Sequence, residues 1–545
     1  MRRLVLLAFF ILLVSSGDTV INAADTGLSG VEEIVLYENN VRSVNGINSL
    51  NNDYKRIYYT KDKQRLVNYA DGYRIDLPLD YQFEFNFSPI GVKAFNENSE
   101  ILITNEWSYD FNVSNYIDHY YNRFITSEDY INANNITLLA RANINNNVNS
   151  LKTVTIRIND MPKDKFDAYS YVTIHNNSRR FYRIMLKYDS ADSNTKDAFD
   201  KAVQSFALIQ RFGKPVYSNI DYMPVIPQNW SKETKEYYDR ISLSDKLQWG
   251  IFTKDIYDTG INKTVPDLEE KLDYKFEVIL SYVHFDAEFP ADFIRKNYED
   301  GRITELTYQI TQSNNEDLFG YTPNLDIYRG KLDDKIRAFA RQARDAQYPF
   351  LFRLNNEMNS DWTSYSGIVN LCDPQVYQDN WRRIYKIFQE EGVNNAIWIF
   401  NPNDRNYPPA AWNNFLWYYP GNEYVHMIGF TGYNNGTYYS KVTGERWREF
   451  EVIYREAETK YTQFFGKFPW IITEFSSSSI GGDKVKWIDN MFKHIQKSPN
   501  LKIAVWFSYA DYDYRPEYMG RVSRPYWLDE TPETLEAFKR GLHKT

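Results

Sequence analysis

The chain has 545 residues, a net charge of −9 with both signs mixed along it, 17% aromatic residues and a single cysteine, Cys372. The length calls for two or more domains, and the acidic, unstriped charge excludes a nucleic-acid binder that grips phosphates with a basic face. One cysteine excludes intramolecular disulfides, so stability rests on burial and Cys372 reads as an inert buried thiol. Such aromatic weight also excludes a disordered chain.

Arg2 and Arg3 precede an apolar run, Leu4 to Val14, and small and polar residues follow up to Asn22-Ala23-Ala24. That order predicts a secretory signal peptide over residues 1–24 and hence a secreted, extracellular protein. The run is short for a membrane span. Residues 30–212 alternate strands with helices. Strands are expected at Gly72–Pro78, Ile101–Thr104, Thr153–Ile158 and Arg180–Lys187, then a helix with Phe199, Val203 and Phe206 on its apolar side. The Asn-rich stretch from Asn132 to Asn149 reads as an exposed loop or a ragged strand. A strand ending in Leu77-Pro78, a late strand with Tyr182 and Arg183 and a closing helix with Ser205-Phe206 resemble the PsbP-like α/β sandwich. That resemblance implies an accessory domain for docking, spacing or ligand binding, including association with a cell wall or surface.

Pro215, Pro224 and Pro227 without sustained periodicity mark residues 213–244 as a linker. Eleven of the thirteen tryptophans follow it, so the second domain, 245–545, differs in character. Strand-like runs recur there at Trp249–Phe252, Phe276–Tyr282, Ile303–Tyr308, Phe350–Leu354, Ala396–Phe400, Val425–Phe430, Trp470–Thr473 and Lys502–Phe507. Helical spacing intervenes, as in Tyr377, Trp381, Ile384 and Phe388. Eight strands with helices between them predict an α/β fold, a (β/α)8 TIM barrel preceded by a smaller α+β sandwich domain.

Glu357 and Glu474 stand at the C-terminal ends of the fourth and seventh strands, where barrels of this kind carry their sites. Two carboxylates facing each other are the minimum apparatus for cutting a glycosidic bond. Abundant aromatic rings suit the same substrate, since the C–H face of a sugar stacks on a ring face. The six histidines show no metal-ligand spacing, and no cofactor is called for.

The motifs around these glutamates resemble glycoside hydrolase family 26, the β-mannanase family of clan A. They are Arg353 to Asn359 followed by Trp362, Trp398-Ile399-Phe400-Asn401-Pro402-Asn403, Tyr419-Pro420-Gly421-Asn422, Ile428 to Asn434, and Ile471-Ile472-Thr473-Glu474-Phe475. The resemblance implies that Glu357 protonates the leaving oxygen and Glu474 attacks the anomeric carbon, about 5 to 5.5 Å away, with retention of configuration. It implies that Tyr433 hydrogen-bonds the nucleophile. Glu357 is expected to be held protonated near neutral pH by the charge of Glu474 and by burial against Trp362. Arg353 shares the side-chain parity of Glu357 and either supports the site or makes a plain ion pair. Trp506, at the end of strand eight, is the candidate floor for the sugar, whereas Trp398 reads as core. His284, just after strand two, either touches substrate or is an ordinary rim residue.

Some positions depart from the family. Mannanases carry His before the acid/base, and here stands Asn356; Asn-Glu is the wider clan pattern, in which the Asn contacts the sugar 2-hydroxyl. The expected partner is therefore a β-linked polysaccharide or oligosaccharide, leaning to gluco-configured or mixed chains over pure mannan. Ser476–Ser479 with Gly481-Gly482-Asp483-Lys484 has the flavour of a phosphate loop without its register, and reads as the strand-seven loop. The rival from another class is a non-catalytic glycan-binding or cell-surface scaffold protein on the same barrel.

Overall fold

The computed structural model describes residues 28–38, 40–44, 55–110, 112–145, 150–175, 179–312, 317–495 and 497–544, so the expected signal peptide lies outside the described residues. Among the described residues no helix is long and apolar enough to cross a membrane. The chain forms two compact units. Of the described residues, one gathers those before Asn112 with those in Leu139–Arg157 and Asp164–Ser218; the other gathers those in Asn112–Leu138, Ile158–Lys163 and from Asn219 onward.

In the first unit a six-stranded and a seven-stranded sheet share one apolar core with the helix Ser193–Ser205. Alternation explains the packing: Ile75 and Leu77 from one sheet meet Ile101, Ile184 and Leu186 from the other, and Phe199 and Phe206 close the layer. The expected strands appear within Tyr73–Leu77, Ser99–Trp107, Ser150–Ile158 and Arg180–Tyr188.

The second unit is a closed parallel barrel of eight strands: β1 Gln248–Thr253, β2 Val278–His284, β3 Ile303–Gln309, β4 Phe350–Leu354, β5 Ala396–Phe400, β6 Met427–Thr431, β7 Trp470–Phe475 and β8 Leu501–Ser508. All eight coincide with the runs read from the sequence. Inward residues at the N-terminal end are aliphatic: Val278, Ile303, Leu351, Ile397, Met427, Ile471 and Ile503 pack into one cluster. Each such side chain contributes about 1.5–3 kcal/mol by leaving water. The stretch read as a linker corrects that expectation. It contains the helix Lys232–Leu243, whose Tyr237, Tyr238 and Ile241, with Trp230, plug this end of the barrel. Their i, i+1, i+4 spacing is a helical stripe that the neighbouring prolines obscured.

Residues 112–138, expected in the first domain, belong to the barrel unit. Two short helices form there, Val113–Ile117 and Glu128–Ala133, and the second lies against the loops that follow β3 and β4. Tyr130 Oη donates to the Val369 carbonyl at 2.5 Å. Asn134, from the Asn-rich stretch, is buried; its amide donates to Gly320 O at 3.0 Å and accepts from Thr322 N at 2.9 Å, while Arg329 holds its carbonyl at 2.7 Å.

Candidate active site

At the C-terminal end the same barrel strands turn polar. Inward positions carry Glu305 and Thr307 on β3, Arg353 on β4, Thr431 on β6 and Thr473 on β7, and Asn401 follows β5. Gly429 makes room among them; a Cβ there would stand 2.7 Å from Thr473 Cγ2. Strict alternation would turn Glu474 outward after inward Thr473. A register irregularity in β7, between Ile472 and Phe475, lets both face the barrel axis.

Glu474 is buried and surrounded by donors. Tyr282 Oη reaches Oε2 at 2.5 Å and Tyr433 Oη reaches it at 3.0 Å. Arg353 Nη1 at 3.0 Å, Asn356 Nδ2 at 3.3 Å and Thr431 Oγ1 at 3.4 Å share Oε1. All five groups donate, which is the complement of an ionised carboxylate. Arg353 is fully buried, with Thr307 Oγ1 accepting from its Nε at 2.7 Å and Asn401 Oδ1 from its Nη1 at 3.0 Å. On its other side lies Glu305, 3.2 Å from Nε, equally buried and accepting no hydrogen bond. One guanidinium cannot neutralise two carboxylates, and the donors all favour Glu474. Burial pushes Glu305 up to about 8, against the pull of Arg353.

Glu357 stands where the chain leaves β4. Asn355 (φ 50°) and Glu357 (φ 57°) both adopt the left-handed conformation, which is costly for a glutamate and is held by Glu357 N donating to Asn401 O at 2.8 Å. Its Oε1 accepts from Asn403 Nδ2 at 2.5 Å and its Oε2 from Asn356 Nδ2 at 3.3 Å. Burial first, and then the charge of Glu474, push the Glu357 carboxyl up to about 8. Asn356 thus bridges the two glutamates, so their nearest oxygens are no further apart than twice 3.3 Å. Its own carbonyl accepts from Gln309 at 3.0 Å and Tyr365 at 2.8 Å.

Glu357, Glu474, Asn356, Arg353 and Tyr433 therefore converge. Two readings need correction. Arg353 has no exposed surface, so it acts on Glu474 and does not touch a ligand. Trp506 is not a sugar floor: the inward residues of β8 are Ile503, Val505 and Phe507, and Trp506 faces the helices, 0% exposed against Phe475, Trp487 and Phe538. Phe507, stacked on Phe252 and edge-on to Tyr433, takes the inward place. Trp362 is 46% exposed beside Tyr407, 5.5 Å between ring centres. His284 is exposed at the end of β2, two residues beyond Tyr282 and of the same parity. Trp398 is core, and Lys484 is buried on the Pro525 and Trp527 carbonyls and Glu530, leaving nothing of a phosphate loop. Sequence reasoning missed Tyr282, Glu305, Gln309, Tyr365 and Asn403. The inward parity of Tyr282, Glu305 and Gln309 was available; Tyr365 and Asn403 depend on loop geometry.

Residues 306–496 match the family model described as glycosyl hydrolase family 26. Endoglucanase H of Acetivibrio thermocellus is 28% identical over 289 residues, 51% of this chain; the chain spans only 29% of that relative's length. A beta-mannanase from Bacteroides ovatus aligns at 16% identity and TM-score 0.43, covering 57% of this chain and 93% of its own. A Cellulomonas fimi endo-beta-1,4-mannanase aligns at 14% and 0.43, covering 59% and 76%. Residues 306–496 of the closed eight-stranded barrel, with Glu357 and Glu474 at their strand ends, are thus the part of this chain that matches glycosyl hydrolase family 26.

Proposed function

We propose that the protein is an exported, retaining endo-β-glycanase that cuts a β-linked polysaccharide by double displacement. The observation that carries this reading is the bridged pair: two buried glutamates on one asparagine, with opposite surroundings. The ceiling of twice 3.3 Å favours the roughly 5–5.5 Å spacing of retaining pairs over the roughly 6.5–9.5 Å that admits a water between inverting ones. Glu357, raised to about 8, keeps its proton at neutral pH and gives it to the glycosidic oxygen as the bond to the anomeric carbon breaks. Glu474 Oε attacks that carbon and becomes an ester. Its negative charge is then gone, so one of the two pushes on Glu357 disappears and the carboxyl can act as base toward the incoming water. The water's proton returns to Glu357, its oxygen takes the anomeric carbon, and Glu474 leaves as carboxylate.

Asn356 in place of a mannanase histidine, together with a relative named for glucan cleavage, supports a gluco-configured or mixed β-glycan. Export rests on the leader-like residues 1–24. The test is a reducing-sugar assay of the mature protein on mannan, glucomannan, mixed-linkage glucan, β-1,3-xylan and bacterial exopolysaccharides, with Glu357→Ala and Glu474→Ala alongside. Cleavage by the wild type that vanishes in both variants is expected, with the first product retaining the β-anomer by NMR. Cleavage surviving in both variants would overturn the site assignment, and binding without turnover on every glycan would favour the scaffold reading.

A further inference from the structure

The strand-eight loop is a hairpin, Ala510–Tyr512 paired with Val522–Pro525, whose paired part is about 10 Å long by the ~3.3 Å rise per residue. Its base is continuous with the catalytic floor. Tyr526, which ends the hairpin, packs 5.0 Å from Tyr433, and Tyr433 donates to Glu474. The tip is locked to the loop after β6. Asp513 is buried and accepts from Tyr438 Oη at 2.8 Å and from Arg515 N at 3.0 Å and Nη2 at 2.6 Å. Arg524 pairs with Asp511 at 2.7 Å and with Glu445, and lies over the Tyr439 ring.

On this fixed tip two large rings are left in water. Tyr514 is 64% exposed although it stacks on Tyr439, 5.4 Å between centres at 24°; Tyr512 is 44% exposed beside Tyr509. Exposed rings on a mobile loop would need no account, but a buried carboxylate held by a tyrosine and an arginine is an expensive way to hold rings in solvent. Rings held rigid bind without paying to order themselves. Mixed polar edges and a bare ring face match a pyranose, whose C–H face stacks and whose hydroxyls take hydrogen bonds.

Resting on the hydrolase reading, we propose that Tyr512 and Tyr514 form a distal stacking platform for the same β-glycan chain that is cut between Glu357 and Glu474. The platform gives the site its preference for polymer over short oligosaccharide. The test uses the full chain with Tyr514→Ala, Tyr512→Ala and the double variant, assayed on mixed-linkage β-glucan, glucomannan and an aryl β-cellobioside, with affinity electrophoresis of the same variants in a Glu474→Ala background. Each lost ring is expected to lower polymer kcat/KM and gel retardation by about tenfold, mainly through KM, and Tyr514→Phe is expected to restore it because the ring face is kept. A loss shared equally by the aryl glycoside and not restored by Phe would mark a structural role and overturn the platform. Undiminished cleavage and retardation in the double variant would overturn it too, while leaving the hydrolase reading standing. A wild type that neither cuts nor binds either polymer overturns both.

Discussion

The two ends of the barrel are built by the same eight strands and obey the same alternation, yet one end is aliphatic and the other ionic. At the closed end Leu351, Ile397, Ile471 and Ile503 meet each other and the plug helix. Two residues further along the same strands stand Arg353, Ile399 beneath Asn401, Thr473 beside Glu474, and Val505. The dry end makes the wet end expensive. With an aliphatic layer beneath them, Glu305, Arg353 and Glu474 depend on one another and on the hydroxyls and amides fixed around them. That is why one carboxylate collects five donors and another collects none.

The comparison breaks most visibly at the reacting pair. Glu474→Ala is expected to cut polymer turnover by roughly 10⁴-fold, whereas Glu357→Ala should cost roughly 10²–10⁴-fold on polymer and much less on an aryl glycoside whose leaving group needs no proton; steady-state kinetics on both substrates separate them. Arg353→Met should destabilise the fold by about 3–5 kcal/mol in urea unfolding, because it leaves Glu474 and Glu305 buried without a cation, and what folds should be inactive. At the other end, Leu351→Ala should cost about 2–5 kcal/mol of stability while kcat per folded molecule is kept. The equal stability cost with opposite activity cost is the signature of the two ends.

Finer effects follow pH. Activity as kcat/KM should fall as pH rises through about 8, where Glu357 loses the proton that the proposed mechanism has it donate. Glu305 has a folded value raised from 4.5 to about 8, so folding takes up a proton between those values and stability declines as pH rises across that window, by up to about 1.4 kcal/mol per unit. Glu305→Gln should flatten that decline, read as a smaller difference in unfolding free energy between pH 5 and pH 7.5. An unchanged slope would mean that Glu305 stays ionised against Arg353.

Much of this was legible in the chain because barrel strands are short-range objects. Apolar runs separated by helical spacing located all eight strands, and the strand ends located Glu357 and Glu474. Parity carried Arg353 correctly to the interior. It was not applied at Trp506, where position at the strand end guided the expectation; the alternation of Ile503 and Val505 points to Phe507 next door. Parity would have failed at Glu474, whose inward aim depends on the β7 irregularity. Gln309 ends β3 on the inward parity of Glu305 and could have been read, whereas Asn403 and Tyr365 reach the site through loops, where no period exists to read. The helix Lys232–Leu243 was hidden by the prolines before it, and the partnership of Tyr130 with Val369 spans 239 positions, beyond any local pattern.

Residues 112–138 carry a consequence for how this protein can be dissected and recombined. A gene fragment starting after residue 212 would encode every strand of the barrel, both glutamates and the full family match. It would still omit the groups of Tyr130 and Asn134 that hold Gly320, Thr322, Arg329 and the Val369 carbonyl in the loops after β3 and β4. The compact unit that holds the barrel is therefore discontinuous in the gene. Shuffling this barrel onto another partner means transplanting a stretch that sits more than a hundred codons upstream of its first strand.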